Sequence, residues 1–424
     1  MADATRSQTE AGISDELATD TFVYAYSMVE AYAFFHRTMI ETGYPLNRFQ
    51  NIRSLADDTY TAHPTINNDT LHLMGWLDVA AEPVVVSVPD MDEGRYWILH
   101  VMDMGHYTSA MIGSRLRGAR GGAFMFASHE WDGPVPSSVT EVVRVDSDLV
   151  KLMGRIMATS PQDEVTAREH MDKWNVRTLS EYLGEKGPAP VERAYPDPAR
   201  TNWLEIACFV LQHGSLAAQD AHWLDRLDGT GLQPGRTDFT AEQLDAAKRG
   251  KELGMRRIEE LAPTLSDSRR LLGTRAALGD GDRDAFAAGT YLGQWGLPPV
   301  EAVYTMKTLD AAGEPLDGTG GRSYRFRIPR PDVSEFWSLT VYATDNRLMA
   351  HNALNRHSRG DRTLREDSNG TFTINLGPDA TGREDDASFL PVPEKQFYVI
   401  LRLYGPDEEM QRGDYRMPDL EPVD

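Results

Sequence analysis

The sequence predicts a mainly β protein with helical insertions: two antiparallel, jelly-roll-like β-sandwich domains joined by a helical segment. Three observations predict it. Short β-branched and aromatic runs, separated by Gly- and Pro-bearing turns, crowd residues 76–145 and return after Pro298. Between them apolar residues recur at helical spacing. A chain of 424 residues also exceeds what one ordinary core holds.

Residues 1–20 read as a polar tail and 21–147 as an N-terminal sandwich with a leading helix. That helix starts at the N-cap candidates Thr19 or Asp20. It buries the stripe Phe22, Tyr26, Val29, Ala33, His36 and Ile40, and stops at Gly43 and Pro45. "PVVVSVPD", "RYWILHVMDM", "GAFMFAS" and "EVVRVDS" follow as strands. Residues 148–297 read as a mostly helical connection made of "DLVKLMGRIMA", "NWLEIACFVLQHG", "AEQLDAAKRGKELGMRRIEELA" and "RDAFAAGTYLGQWG". Within it "EKGPAPVERAYPDPAR" is the linker candidate. Residues 298–424 form the second sandwich from "RSYRFRIP", "EFWSLTVYAT", "GTFTINLG" and "QFYVILRLYG", with hairpin turns at "DAAGEPLDG" and "DSNG".

A net charge of −22 repels phosphate backbones and anionic lipid, so neither nucleic acid nor a membrane surface is an expected partner. Only seven of the 43 cationic residues are Lys, a skew that suits GC-rich coding or a salt-adapted surface as well as any function. Cys208 is the single cysteine, which excludes an intramolecular disulfide and a thiolate metal cluster. In its apolar helical run it reads as a small core residue. The first residues are polar and acidic, unlike a signal peptide, and the expected location is the cytoplasm.

Several segments match a known pattern. "VYAYSMVEAY", "NNDTLHLMGWLDV", "PVVVSVPD" and "GRYWILHVMDM" resemble the bacterial domain of unknown function 1254. "EAVYTMKTLDAAGEPLDG", "FWSLTVYATDNRLMAHNALNRHS" and "FLPVPEKQFYVILRLYGP" resemble its usual C-terminal partner, the domain of unknown function 1214. The resemblance implies two jelly-roll-like sandwiches with helical additions and little about chemistry. Two departures stand out. The family's "NRYS" is "NRHS" here, placing His357 where Tyr is usual, and its "NWLP" is "SFLP", with Ser388 and Phe389.

The stretch "HPTINNDTLHLMGWLDV" packs His63, Asn67, Asn68, Asp69 and Thr70 ahead of an apolar strand. Short amides and carboxylates there suit Asx-turns, and equally the polar wall of a binding site. Two adjacent Asn in extended chain point to opposite sides. Asp103 closes the apolar run "WILHVMDM", where a buried carboxylate must be paired, hydrogen-bonded or raised in pKa; Tyr96 and Tyr107 lie near it in sequence. The plainer reading has Asp103 capping the turn "MGHYTS". In "NALNRHSRGDR", Arg356 offers a bidentate clamp for a carboxylate and His357 a titratable neighbour. Ser358 beside it has no nucleophile-elbow motif to support a serine hydrolase. Trp295, Trp337, Tyr304, Tyr342 and Tyr404 read as core aromatics, some of them available to a pocket between domains. His36, His63, His72, His100 and His106 show no tight ligand spacing, so no cofactor is expected and a divalent metal is the lesser alternative.

The expected function is a bacterial enzyme acting on a small polar or partly aromatic molecule by non-redox acid/base chemistry: hydrolysis, elimination or isomerisation. Asp69, Asp103 and His63 are its acid/base candidates, and Asn67, Asn68, Tyr96, Tyr107, Arg356 and His357 its substrate contacts. The rival is a double sandwich that binds a small molecule or glycan without turning it over. Both a monomer and a homodimer fit the composition.

Overall fold

A computed structural model describes residues 12–62, 64–213, 218–279 and 281–423. The N-terminal strands are β1 (Phe49–Ile52), β2 (Thr70–Asp78), β3 (Val84–Val88), β4 (Trp97–Met102), β5 (Thr108–Gly113), β6 (Gly122–Ser128), β7 (Glu141–Val145), β8 (Leu149–Met157) and β9 (Asn175–Thr178). They form a five-stranded sheet, β1-β2-β8-β4-β5, and a four-stranded sheet, β7-β6-β3-β9. The two face each other across a shared core that includes Leu73, Trp97, Leu99, Phe124, Phe126, Val150 and Leu152.

The C-terminal strands are β10 (Ala302–Lys307), β11 (Ser323–Pro329), β12 (Val333–Ala343), β13 (Ser358–Gly360), β14 (Thr371–Gly377), β15 (Phe389–Pro391), β16 (Phe397–Pro406) and β17 (Leu420–Val423). Sheets β10-β16-β12-β13 and β15-β14-β11-β17 enclose Phe326, Trp337, Leu339, Ile374, Val399 and Leu401. All four sheets are open. Two edge pairings, β6 with β7 and β14 with β15, are parallel, a departure from the wholly antiparallel expectation.

The chief correction concerns "DLVKLMGRIMA", expected as helix. It is β8, the central strand of the five-stranded sheet, hydrogen-bonded to β2 and β4. All nine residues are buried. Val150, Leu152 and Ile156 face the sandwich interior, while Leu149 and Met153 on the opposite face meet a helical layer. With both faces covered, the period-two signal that marks a half-buried strand disappears. The first sandwich therefore extends past the expected boundary at 147 to Thr178.

The helical layer is built from Asp15–Phe35, Trp203–Gln212, Ala241–Leu261 and Arg283–Leu292. Phe34, Phe35, Leu204, Cys208 and Ile258 from these helices join Met74, Trp76 and Met153 of the sheet in one core. The leading helix begins at Asp15 with Ser14 as N-cap, inside the expected tail, and runs past Phe35 into a wider π turn, His36–Ile40. Ser14 Oγ accepts the Leu17 N–H at 3.2 Å, satisfying a donor that the helix itself leaves free. Gly250 and Gly254 let Ala241–Leu261 approach the leading helix closely. A Cβ on Gly250 would stand 2.2 Å from Ala18 O, and one on Gly254 2.5 Å from Phe22 Cδ1. The linker candidate crosses the molecular surface, pinned where Arg193 pairs with Asp78 and Asp148.

Candidate functional site at the junction of the two sandwiches

The outward face of the five-stranded sheet is shared. Helices cover one part, and β10, β12 and β16 cover another through Tyr96, Ile98, Met157, Phe336 and Tyr404. Where sheet, helices and second sandwich meet, a cavity of about 610 Å³ remains.

Pro64–Asn67 form one edge of that cavity, while Asn68 and Asp69 line a second hollow. Asn67 Oδ1 accepts from the Asp69 N–H, the Thr70 N–H and Thr70 Oγ1, each at 3.1 Å, which is an Asx-turn. Its Nδ2 reaches Tyr404 Oη of the second sandwich at 3.3 Å. Asn68 points the other way, donating to Ala56 O at 2.6 Å and accepting from Ser358 Oγ at 3.2 Å. Asp69 accepts from Ser338 Oγ at 2.7 Å and from Ser358 Oγ at 3.3 Å. Burial pushes its carboxyl pKa up; Arg402, Ser338 and Ser358 pull against that without cancelling it. His63 lies outside the described residues.

Two arginines, each 5% exposed, line the cavity among Met153, Leu271, Trp295, Tyr304 and Tyr404. Arg402 donates to Thr340 Oγ1 at 2.9 Å, and to Thr65 O and Tyr342 Oη at 2.7 Å each. Burial works against its charge, and Tyr342, Tyr404 and Asp69 more than offset that. Arg155 donates through Nη2 to Trp295 O at 2.8 Å, while its buried Nη1 has no partner among the described residues. His72 contributes from β2. Tyr304 accepts the Leu297 N–H at 3.2 Å, and burial raises its phenol pKa, so the hydroxyl keeps its proton. Glu259 and Asp345, also in the lining, are exposed and stand at the rim.

Backbone strain gathers at the same walls. Thr65, Trp295 and Arg347 line the cavity with φ of 57°, 64° and 61°, in the left-handed region that side chains avoid. Trp295 is gripped from both sides: its carbonyl accepts from Arg155, and its N–H donates to His106 Nε2 at 3.2 Å. Burial lowers the His106 pKa to about 4, so this imidazole is neutral and able to accept that bond. Such conformations cost on the order of 1–3 kcal/mol each and persist where surrounding structure over-determines them.

A second hollow of about 400 Å³ lies behind Asp69, lined also by Asn68, Ser338, His357 and Ser358. His357 Nε2 contacts Asn355 Oδ1 at 3.0 Å, and its pKa is lowered by burial against the pull of Asp58 and Asp57. Arg356 borders this hollow, yet its guanidinium is committed to main-chain carbonyls, with Asp386 O at 2.8 Å, Glu384 O at 2.9 Å and Phe389 O at 3.1 Å. It staples a loop instead of clamping a carboxylate.

The structure separates Asp103 and Tyr107 from both hollows. Asp103 Oδ1 accepts the Tyr107 N–H at 2.9 Å, closing the "MGHYTS" turn, and Oδ2 accepts from Arg275 Nη2 at 3.0 Å. Arg275 also pairs with Asp220, which Arg283 shares, and Arg283 donates to Tyr107 Oη. This network ties the helical insertion to the first sheet. Tyr96 Oη donates to Glu301 Oε1 at 3.1 Å, inside the interface between the sandwiches. Sequence reasoning missed Arg155 and Arg402. The available signal was cations inside apolar strands: Arg155 with Lys151 in "LVKLMGRIM", and Arg402 alone in "FYVILRLYGP". Among the described residues no group of three or more His, Cys, Asp or Glu is placed to hold a metal ion.

Residues 46–178 match the family model described as a protein of unknown function (DUF1254), and residues 301–408 match a protein of unknown function (DUF1214). The VPA0106 protein from Vibrio parahaemolyticus, known from its crystal structure, is 58% identical, with a TM-score of 0.86 over 97% of this chain and 100% of its own. The chain belongs to the DUF1254–DUF1214 family. A putative uncharacterized protein from Burkholderia cenocepacia aligns over 95% of this chain and 88% of its own at 12% identity and a TM-score of 0.46. No curated protein matches. In this DUF1254–DUF1214 protein the stretches "NRHS" and "SFLP" take different places. His357 lines the second hollow, whereas Ser388 Oγ bonds Asp386 and Asn375, and Phe389 packs in the second sandwich under Arg383.

Proposed function

We propose that the junction cavity binds a small organic anion with a flat apolar body, and that the protein acts on it by acid/base chemistry without redox. The observation that carries this reading is Arg155: a buried guanidinium with an unpartnered donor, in a cavity walled by three strained residues. An unsatisfied buried donor costs roughly 1–3 kcal/mol, and more when charged, so an anionic group placed there gains what water would otherwise supply. Trp295, Tyr304, Leu271 and Met153 offer flat apolar surface for the remainder of the molecule. Exposed acids at the rim disfavour a second negative charge at the outer end. The Tyr304 hydroxyl and the His72 imidazole are the proton-handling groups of the same cavity. Within this reading the protein works in the cytoplasm, where a lone thiol stays reduced.

Thermal-shift titration with aromatic carboxylates and their matching amides tests the proposal. The carboxylates should raise the melting temperature, the amides should not, and Arg155→Met should lose the response. Equal response to amides, or an unchanged response in Arg155→Met, overturns it. Mass spectrometry of the recovered ligand separates turnover from binding alone.

A further inference from the structure

The junction cavity is longer than its anion anchor requires. Tyr398, Ile400, Arg402 and Tyr404 alternate along one face of β16, and all four line it. Six residues of strand at about 3.4 Å each run roughly 20 Å. Arg155 stands at the Tyr404 end. There it works against the burial-driven rise of the Tyr304 and Tyr404 phenol pKa values, a part that Arg347 and Arg402 take at Tyr398. Tyr398 lies towards the mouth: its cross-strand partner Tyr342 leads through Ala343 to exposed Thr344 and Asp345. The volume of about 610 Å³ falls among cavities that enclose drug-sized ligands, roughly 300–1,000 Å³. One ring with a carboxylate, seated between Arg155, Trp295 and Tyr304, leaves most of it empty.

The outer half is walled by aliphatic side chains. Ile66, Met306 and Ile400 pack around Tyr342 and Tyr398 on the second sandwich, and each is only half-buried. Leu265 and Leu292, half-buried as well, face them from the helical side. All five line the cavity, so apolar surface stays open there that a hydrocarbon chain would cover. Met306, unbranched and flexible, adapts its shape to such a chain. Arg347, the cation of this half, is committed to Tyr291, donating to its carbonyl at 3.1 Å and lying 5.2 Å from its ring centre. The exposed acids Glu259 and Asp345 stand at the rim.

We infer that the ligand of the junction cavity is an aryl carboxylate bearing an unbranched alkyl arm opposite its acid group. The carboxylate meets Arg155, the ring lies by Trp295 and Tyr304, and the arm runs out along Ile400 and Met306 towards Tyr398. At C–C bonds of about 1.5 Å, the space beyond the ring takes an arm of roughly six carbons. The arm ends without charge, because the rim acids repel a second anion and the aliphatic walls offer it no partner. The inference rests on Arg155 being the anion anchor of this cavity and adds the substrate class.

The test is isothermal titration of the full chain with benzoate and its 4-ethyl, 4-butyl, 4-hexyl and 4-decyl derivatives. Affinity should rise about threefold to fourfold per methylene up to the hexyl compound, as for burial of a CH₂ group, and level off by decyl. Binding should saturate at a single molecule per chain. A carboxylate at the end of the hexyl arm should cost about tenfold. Ile400→Thr should cost the hexyl compound about tenfold more than it costs benzoate. The series on the unaltered chain decides the matter even if Ile400→Thr fails to fold. Benzoate bound through Arg155 with no gain along the series overturns the arm and leaves the anion anchor in place. The same gain in Arg155→Met as in wild type keeps the arm and overturns the anchor. A gain that keeps growing to decyl, or that exceeds a single molecule per chain, is surface adsorption and overturns the inference, as does failure of the whole series to bind.

Discussion

Ser338 Oγ of the second sandwich donates a 2.7 Å hydrogen bond to the buried carboxyl of Asp69, which enters the first. Residues 269 positions apart thus meet in the lining of the second hollow. Because burial raises the Asp69 pKa, the folded chain holds a proton there that the unfolded chain has lost. Between the ordinary carboxyl range and the raised one, stability therefore falls as pH rises. Asp69→Asn should match or exceed the wild-type melting temperature at neutral pH, with the difference shrinking as pH drops through that window. A variant that is less stable at pH 7 than at pH 4, relative to wild type, contradicts this assignment.

Thr65 carries a β-branched side chain at φ 57°, at the cavity edge. Thr65→Gly removes the clash that makes this conformation costly. Denaturant titration should show a gain of up to about 1 kcal/mol, offset in part by the entropy of Gly in the unfolded chain. The same variant should bind aromatic carboxylates more weakly, because the strained edge no longer holds one shape.

Arg275 neutralises two buried carboxyls, Asp103 and Asp220. Arg275→Met leaves Asp103 without its cation and Asp220 with Arg283 alone, and should cost about 3–5 kcal/mol in urea unfolding. Asp103→Asn should cost less and leave the carboxylate response of the junction cavity intact. Loss of that response in a folded Asp103→Asn protein would return Asp103 to the site.

Gly250→Ala places a methyl group 2.2 Å from Ala18 O. Helix propensity favours Ala by roughly 1 kcal/mol, and overpacking between two buried backbones outweighs it. A net loss of about 1–3 kcal/mol is expected by chemical denaturation. Gly43→Ala, at φ 65° with nothing within 4 Å, tests conformational strain in the absence of a clash.

The polar cluster Asn67–Thr70 was legible in sequence because its residue types are suited to turns, and it makes an Asx-turn; that Asn67 borders one hollow and Asn68 and Asp69 another was not legible. Arg155 was hidden because β8 carries apolar residues on both faces, so its two cations fell within a pattern read as helical. Arg356 misled because carbonyl oxygens of a distant loop, invisible in sequence, occupy its donors.

By itself the sequence determined the β-rich class with helical additions, the pairing of two family domains, the single cysteine and the net negative charge. Local pattern and composition carry those properties, and they need no knowledge of distant chain. The tertiary structure alone decided which face of the five-stranded sheet the second sandwich covers, and so which polar groups border a cavity. Asp69 and Asp103 are both buried acids beside an apolar strand. One meets two serine hydroxyls at a hollow and the other an arginine from an inserted helix, because long-range packing sets the partner that each buried charge must find.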